Sequence, residues 1–199
     1  MIARMLCNVI VGAALVLTTN AMAADSSPFE QIAHADPFTG FKFPRMIGAY
    51  AFQGTAPYER VHLGYGVHYI EVAGAKASIS IYDMNLSDIK DGTSDLRVIE
   101  EFDKMSSGIT AMVEQGVYRS ARRIDGPQLS KAWLQVDHEI EFANGVRIQS
   151  YSFIRGQSGR FVKIRVSTPS KGSYARLPIF LLGVSRSIGL LGPASASAG

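Results

Sequence analysis

The sequence predicts a single α+β domain, a mainly antiparallel sheet with two amphipathic helices packed on it as a layered sandwich. Strand-like segments follow one another across short turns that contain glycine, which is typical of antiparallel hairpins. Two other segments repeat apolar residues at steps of four and three, the spacing that places side chains along one side of a helix. Because hairpins predominate, we expect the helices to lie on at least one face of an antiparallel sheet.

The first half of the chain contains three predicted strands. The first covers residues 46–53, and the segment 54–58, GTAPY, is expected to end it. Residues 61–72 and 76–84 form the next two strands. The tripeptide Ala73-Gly74-Ala75 between them predicts a hairpin.

Each predicted helix carries one apolar stripe. The stripe of the first helix consists of Val98, Phe102, Met105, Ile109 and Met112. Gly116 follows it and is well suited to end that helix. The stripe of the second helix consists of Leu177, Leu181, Val184, Ile188 and Leu191. Because proline is tolerated only in the first turn, Pro178 predicts that this helix begins near Leu177.

Four strands are predicted between the two helices. They cover residues 117–124, 131–143, 146–155 and 160–168. Asn144-Gly145 is a strong signal for a two-residue hairpin loop between the second and third of these strands. Residues 156–159, GQSG, predict a four-residue loop between the third and fourth.

These loop lengths predict a charged sheet face. Asp137 would face Ser152 and then Lys163, and Glu139 would face Ser150 and then Arg165. The opposite face would be the core, formed by Val136, Ile140, Tyr151, Phe153, Val162, Ile164 and Val166. The four charged residues are the candidate binding residues, Asp137, Glu139, Lys163 and Arg165. The face is either a solvated surface with salt bridges, which the frequency of such pairs favours, or a groove in which Arg165 binds an anion.

The chain ends predict export. Arg4, an apolar run at residues 5–17 and the small residues of Ala21-Met22-Ala23 indicate a signal peptide over residues 1–23. An extended arm at 24–45, one domain at 46–191 and a disordered tail at 192–199 would follow. No later apolar run is long enough to span a bilayer, so a periplasmic or secreted location is expected. The single cysteine, Cys7, allows no internal disulfide.

The order of elements over residues 46–191, strands, a helix, further strands and a last helix, resembles the PsbP-like α/β/α sandwich. That resemblance implies a small secreted or organellar accessory protein. Its members are mostly helpers and binding modules without enzymatic activity, although a fold alone does not transfer function.

An aspartate-rich segment precedes the first helix. Read as a calcium loop from Asp83, it has Asp88 where the turn needs glycine and Ser94 where a bidentate glutamate is needed. The alternative is a turn at Asp91-Gly92, a helix cap at Thr93 or Ser94, and Asp95 in the first helical turn. The missing glycine and glutamate favour the turn and cap.

Other chemistries find little support. The four histidines lack metal-ligand spacing, and GQSGR at 156–160 departs from the nucleophile motif G-x-S-x-G. Twenty basic against seventeen acidic residues form no nucleic-acid footprint. We therefore expect no metal, cofactor or catalytic residue, and an exported accessory or binding protein of the bacterial envelope. Its partner would be an envelope protein or a small ionic ligand. A hydrolase with no recognisable site, or a structural protein that docks through its aromatic arm, is the alternative.

Overall fold

The computed structural model describes residues 31–58, 64–169 and 171–191. In these residues it confirms the α+β class, with an eight-stranded antiparallel sheet, a two-stranded sheet and two α-helices. The elements are β1 (Ile32–Ala35), β2 (Lys42–Pro44), β3 (Met46–Ile47), β4 (Tyr50–Pro57), β5 (Tyr65–Glu71), β6 (Lys76–Tyr82), α1 (Leu96–Glu114), β7 (Tyr118–Ile124), β8 (Leu134–Phe142), β9 (Arg147–Gln157), β10 (Arg160–Thr168), a 3₁₀ helix (Lys171–Arg176) and α2 (Leu177–Ser187). The predicted signal peptide, the start of the arm and the predicted tail lie outside the described residues.

The large sheet consists of two meanders that meet at one strand pair. Its strand order is β3-β4-β5-β6-β10-β9-β8-β7, so β6 pairs with β10 where the two halves join. One helix packs on each side. We call the side with Lys163 and Arg165 the α1 face, because α1 packs on Tyr82 and Phe161 there. The side with Val162 is the α2 face, where α2 packs. No helix in the described part of the chain is long and apolar enough to cross a membrane.

The ends of α1 are set by an aspartate and a glycine. Asp95 is the N-cap, since its carboxylate accepts hydrogen bonds from the backbone N–H of Arg97 at 2.9 Å and of Lys90 at 2.8 Å. The predicted caps at Thr93 and Ser94 are therefore wrong by one or two residues. Gly116, with φ of 73°, ends the helix as predicted. The N–H of Val117 donates to the carbonyl of Met112, which completes a Schellman motif.

The second helix begins where Pro178 predicted. It starts at Leu177, with proline in the first turn, and buries Leu181 and Val184 in the main core. Phe180 packs on Tyr50 of β4 with ring centroids 4.4 Å apart. Phe180 also meets Tyr69 of β5 at 5.7 Å between centroids, so the aromatic contacts of the helix are with the β4–β5 part of its sheet face.

The described part of the predicted arm is a hairpin and not a single extended segment. Strands β1 and β2 pair antiparallel, and Phe41 and Phe43 are buried in the main core. The turn between them is held by Asp36, which accepts hydrogen bonds from the Thr39 hydroxyl at 2.6 Å and the Tyr65 hydroxyl at 3.0 Å. The described part of the arm packs against the body through Phe41 and Phe43.

The strand break predicted at residues 54–58 does not occur. Strand β4 continues through Gly54 to Pro57, and a bulge between Phe52 and Gly54 absorbs the irregularity. Gly54 has φ of 145°, which side chains rarely tolerate, so glycine here permits a bulge instead of an end. The break lies earlier, where Gly48 begins the turn that separates β3 from β4.

The β8–β9 loop has three residues, not two. The N–H of Phe142 donates to the carbonyl of Val146, and Gly145 adopts a positive φ of 82° as the third loop residue. Asp137 therefore pairs with Tyr151 and Glu139 with Gln149, instead of with the two serines. A shift of one residue moves a side chain to the other sheet face.

The β9–β10 loop has two residues, not four. Ser158 and Gly159 both have positive φ, 53° and 73°, as in a type I′ turn. Arg165 then pairs with Ser152 and Lys163 with Ile154. Shortening the loop by two keeps these side chains on their face, so only their partners change.

Together these two loops remove the predicted ionic rows. Asp137 and Glu139 lie on the α2 face, whereas Lys163 and Arg165 lie on the α1 face. The seven predicted core residues are all buried, but Val136 and Ile140 face α1 and the other five face α2. Because residues of both sets are buried, burial alone does not distinguish the predicted register from the observed one.

The aspartate-rich segment anchors the start of α1. Asp91 accepts a hydrogen bond from the backbone N–H of Ser158 at 2.7 Å, and Asp83 pairs with Arg160 at 2.9 Å. Gly92 and Gly156 exchange two backbone hydrogen bonds beside them. These contacts, with the Asp95 cap, agree with the turn-and-cap interpretation and fasten the segment to the β9–β10 hairpin.

Candidate functional site

A groove of about 680 Å³ opens on the α1 face. Seven strands contribute to its lining, which consists of Gln53, His68, Tyr69, Ile70, Gly74, Lys76, Ala77, Ser78, Tyr118, Phe142, Ile148, Arg165, Ser167 and Pro169. Its volume lies within the range of about 300–1,000 Å³ that is usual for small-molecule sites.

The groove exists because α1 covers only part of its sheet face. The helix packs through Val98, Phe102 and Met105 onto one end of the strands. At the other end, short side chains such as Ser78 and Ser167 rise little above the sheet, and neither α1 nor α2 contributes to the lining. We call this space the α1-face groove.

Arg165 is the fixed charge of the α1-face groove. Its Nε–H donates to the Ser150 hydroxyl at 3.0 Å, and Nη2–H donates to the Tyr118 hydroxyl at 3.2 Å. The Tyr118 ring is itself held edge-on against Phe142, with centroids 5.3 Å apart. None of the ion pairs in the described part of the chain includes Arg165. The guanidinium is therefore oriented by neutral oxygens and keeps donors for an anion.

Apart from neutral polar residues, the rest of the lining is basic or apolar. Lys76 and His68 are exposed at the groove, and no aspartate or glutamate is among the residues that line it. Ile70, Phe142 and Ile148 supply half-buried apolar surface. This arrangement suits an anion that carries an apolar part.

Lys163, the neighbour of Arg165 on β10, lies under α1 and does not line the groove. Its Nζ sits 5.3 Å from the centre of the Tyr82 ring, in cation–π geometry. Burial lowers the pKa of this amine, Arg165 lowers it further, and the Glu101 carboxylate raises it. The Tyr82 hydroxyl donates to Glu101 at 2.8 Å, so the three side chains form one polar contact between helix and sheet.

Of the four predicted binding residues, the α1-face groove contains only Arg165. Glu139 lies on the other face and forms a surface ion pair with Arg122 at 3.6 Å. Asp137 is buried on that same face and accepts a hydrogen bond from the Gln135 amide at 2.9 Å. The prediction missed Tyr118, because its proximity to Arg165 depends on how the sheet brings β7 and β10 to one groove.

Comparison with protein-family models and with curated proteins finds no match for this chain. A sheet with helices is common to many folds, so the resemblance to the PsbP-like sandwich stays a prediction that rests on element order. The functional argument for this chain therefore depends on its own geometry.

A buried histidine beside this site predicts acid sensitivity. His138 is 7% exposed, its Nδ1 has no hydrogen-bond partner in the described structure, and burial lowers its pKa below 6.5. Arg123 of β7 and Arg165 of β10 lower that pKa further, while Asp103 of α1 lies across a small cavity.

Because the folded-state pKa is lowered, the unfolded chain takes up this proton first. The contribution of His138 to stability is complete above pH 6.5 and is lost as the pH falls through the lowered folded-state value. We expect the free energy of unfolding, measured with urea at about pH 7.5 and about pH 5.5, to fall less in His138→Gln than in the parent protein. An equal fall in both proteins would contradict this assignment.

Proposed function

We propose that this protein is an exported, non-enzymatic binding protein of the bacterial cell envelope, and that the α1-face groove holds a small anionic ligand with an apolar part. The observation that carries this proposal is Arg165, a half-buried guanidinium oriented by Ser150 and Tyr118 without a carboxylate partner in the described structure. The signal-like sequence at residues 1–23 supports export.

The anion would bind at Arg165. A carboxylate or phosphate accepts charge-assisted hydrogen bonds from a guanidinium, which are stronger than neutral ones. Lys76 and His68 at the same groove add donors on the β5–β6 side. The absence of acidic side chains from the lining means that an incoming anion meets no like charge there.

The apolar part of the ligand would lie on Phe142 and Ile148. Both line the groove on the side of Arg165 that faces β8 and β9, and Ile70 lines it on the other side. Burial of apolar surface stabilises a complex by roughly 25 cal/mol per Å² removed from water before the costs of association. A charged head with a short hydrocarbon or aromatic body therefore matches the lining.

A hydrolase is the second candidate, and one pair of residues favours it. Ser78 and His68 face each other across β5 and β6, and both line the α1-face groove. No hydrogen bond joins them in the described structure, and no carboxylate lines the groove to orient the imidazole. A nucleophilic serine needs both contacts, so binding is the better-supported function.

The proposal is tested by calorimetric titration with octanoate, octyl phosphate and octan-1-ol. We expect at least one of the two anions to bind more tightly than the alcohol. Arg165→Gln should lower the affinity for that anion by about 10- to 100-fold, the loss expected when a hydrogen bond to a charged group is removed. The matched control is Arg147→Gln, which removes an exposed arginine that pairs with Glu141 and should leave affinity unchanged.

Two results would contradict the proposal. One is equal affinity for octanoate, octyl phosphate and octan-1-ol. The other is an anion affinity that Arg165→Gln leaves intact. Release of p-nitrophenol from an octanoate ester, abolished by Ser78→Ala, would instead support the hydrolase.

A further inference from the structure

A second cavity lies on the α2 face, near the β7 edge of the sheet. It has a volume of about 250 Å³ and is lined by Ile124, Gly126, Asp137, Gln149, Tyr151 and Tyr174. We call it the Asp137 cavity. It lies on the opposite sheet face from the α1-face groove, so its properties do not depend on the function proposed for that groove.

Asp137 is a buried acid with an unfilled hydrogen-bonding position. The residue is 3% exposed, and one carboxylate oxygen, Oδ2, accepts from the Gln135 amide at 2.9 Å. The other oxygen, Oδ1, has no hydrogen-bond partner in the described structure. Leaving a buried acceptor without a donor costs about 1–3 kcal/mol, and more when it is charged. The site is therefore incomplete as it stands.

No basic side chain completes it. Burial raises the pKa of Asp137, and the Gln135 hydrogen bond and the Arg123 charge only partly oppose that rise. Arg123 forms no ion pair with the carboxylate in the described structure. Gln135, whose amide is the one donor to the carboxylate among the described residues, is neutral. Among the described residues, the Oδ1 atom therefore lacks a donor, which a cationic or neutral ligand group could supply.

Two tyrosine rings form the wall of the Asp137 cavity. The rings of Tyr151 and Tyr174 are 5.4 Å apart between centroids and inclined at 50°. The Tyr151 hydroxyl donates to Gln149 at 2.5 Å and is therefore already satisfied. What these residues offer a ligand is aromatic surface, which attracts cations.

Gly126 lies so close to the Asp137 carboxylate that a side chain at this position would overlap it. A Cβ at this position would lie 2.4 Å from Asp137 Oδ2, closer than real Cβ atoms approach an oxygen. Any larger residue would therefore push the carboxylate out of its place. Glycine permits the carboxylate to stay between the loop and the two rings.

We propose that the Asp137 cavity binds the primary ammonium group of a small alkylamine. An ammonium has three N–H donors, so it can donate a hydrogen bond to the unpartnered Oδ1 of Asp137. The tyrosine rings would contact the charge and the adjoining methylene groups. Calcium would need about six to eight oxygen ligands, and the lining offers one carboxylate. The volume of about 250 Å³ lies below the usual range for drug-sized ligands and suits a small amine.

The test is an NMR titration of the full chain with n-butylamine, with butan-1-ol as the neutral probe of similar shape. We expect saturable shifts from the amine and none from the alcohol. Asp137→Asn should lower the affinity for n-butylamine at least tenfold. Glu139→Gln should leave that affinity unchanged. Glu139 lies two residues along the same strand and on the same face, but its partner is Arg122 at the surface.

A second pair of variants distinguishes the contribution of the Tyr174 ring from that of its hydroxyl. This comparison tests the proposal even if Asp137→Asn does not fold. Tyr174→Phe keeps the ring and should bind n-butylamine with little change, whereas Tyr174→Leu should bind it several-fold more weakly. Lowering the pH should weaken binding, because a proton competes with the ammonium for the carboxylate. Equal binding of alcohol and amine, full binding by Asp137→Asn, or no loss in Tyr174→Leu would each overturn the proposal.

Discussion

We expect Arg176→Met to lower the free energy of unfolding by about 3 kcal/mol, the low end for a broken buried ion pair. Its partner Glu71 has a fully buried side chain on β5, whereas Arg176, just before α2, is half-exposed. Neither Glu71 oxygen has a regular hydrogen bond in the described structure, so the guanidinium is the main compensation for that charge. Without it, none of the ion pairs among the described residues would involve this buried carboxylate.

Urea unfolding measures the change in the free energy of unfolding. Two further variants test whether that change comes from the unpaired charge. Glu71→Leu combined with Arg176→Met should be more stable than Arg176→Met alone, because no buried charge is left unpaired. Arg186→Met is the matched control, an exposed arginine near the end of α2 without an ion pair in the described structure. Its stability should change by less than about 0.5 kcal/mol. A double variant as unstable as the single one would show that the pair does not act through charge.

Gly156→Ala should destabilise the protein by about 3 kcal/mol, combining steric overlap with two weakened backbone hydrogen bonds. A Cβ here would lie 2.1 Å from the carbonyl oxygen of Lys90, a backbone atom that cannot turn away. The N–H of Gly156 donates to Gly92 at 2.8 Å, and its carbonyl accepts from Gly92 at 2.9 Å. An overlap at this position would push the aspartate-rich segment away from β9 and break these hydrogen bonds.

Gly108→Ala is the matched control for that substitution. Gly108 is exposed in the middle of α1, and a Cβ there would meet no atom within 4 Å. The same change should therefore raise the free energy of unfolding by up to about 1 kcal/mol, the difference in helix propensity. Thermal and urea unfolding of the two variants should shift in opposite directions. Shifts of the same sign would mean that contact with Lys90 does not limit position 156.

The elements were predictable because their signals are local. The apolar stripe and Gly116 define α1, and Pro178 marks the start of α2, since each depends on neighbours within a few residues. Turn length is a weaker signal. Asn144-Gly145 occurs in two-residue turns and, as here, in a three-residue turn with glycine at the bulge, and the dipeptide does not distinguish them.

Register could not be corrected from hydrophobicity. Strand β9 is apolar on both faces, with Ile154 towards α1 and with Tyr151 and Phe153 towards α2. A strand buried on one side would have revealed a shift of one residue, because its apolar set would face solvent. Here either register buries apolar side chains, and only the backbone of the turn decides between them.

The candidate sites were predictable only in part, for a related reason. Arg165 was expected to bind an anion, and it lies in the α1-face groove, although its neighbours Tyr118 and Phe142 come from strands distant in the sheet order. Asp137 and Glu139 lie two residues apart on β8 and on the same sheet face. Asp137 is nevertheless buried, whereas Glu139 is half-exposed. Residues from other segments, such as Tyr174, line the cavity beside Asp137, and the local sequence does not predict their position.

The strand order also bears on how the chain reaches this structure. Among the described strands of the large sheet, every neighbouring pair is consecutive in the chain except β6 and β10. Each half can therefore assemble from nearby hairpins, at a small entropic cost of closing short loops. The cost of bringing distant segments together is concentrated in a single encounter, when β10 pairs with β6 and closes a loop that contains α1, β7, β8 and β9.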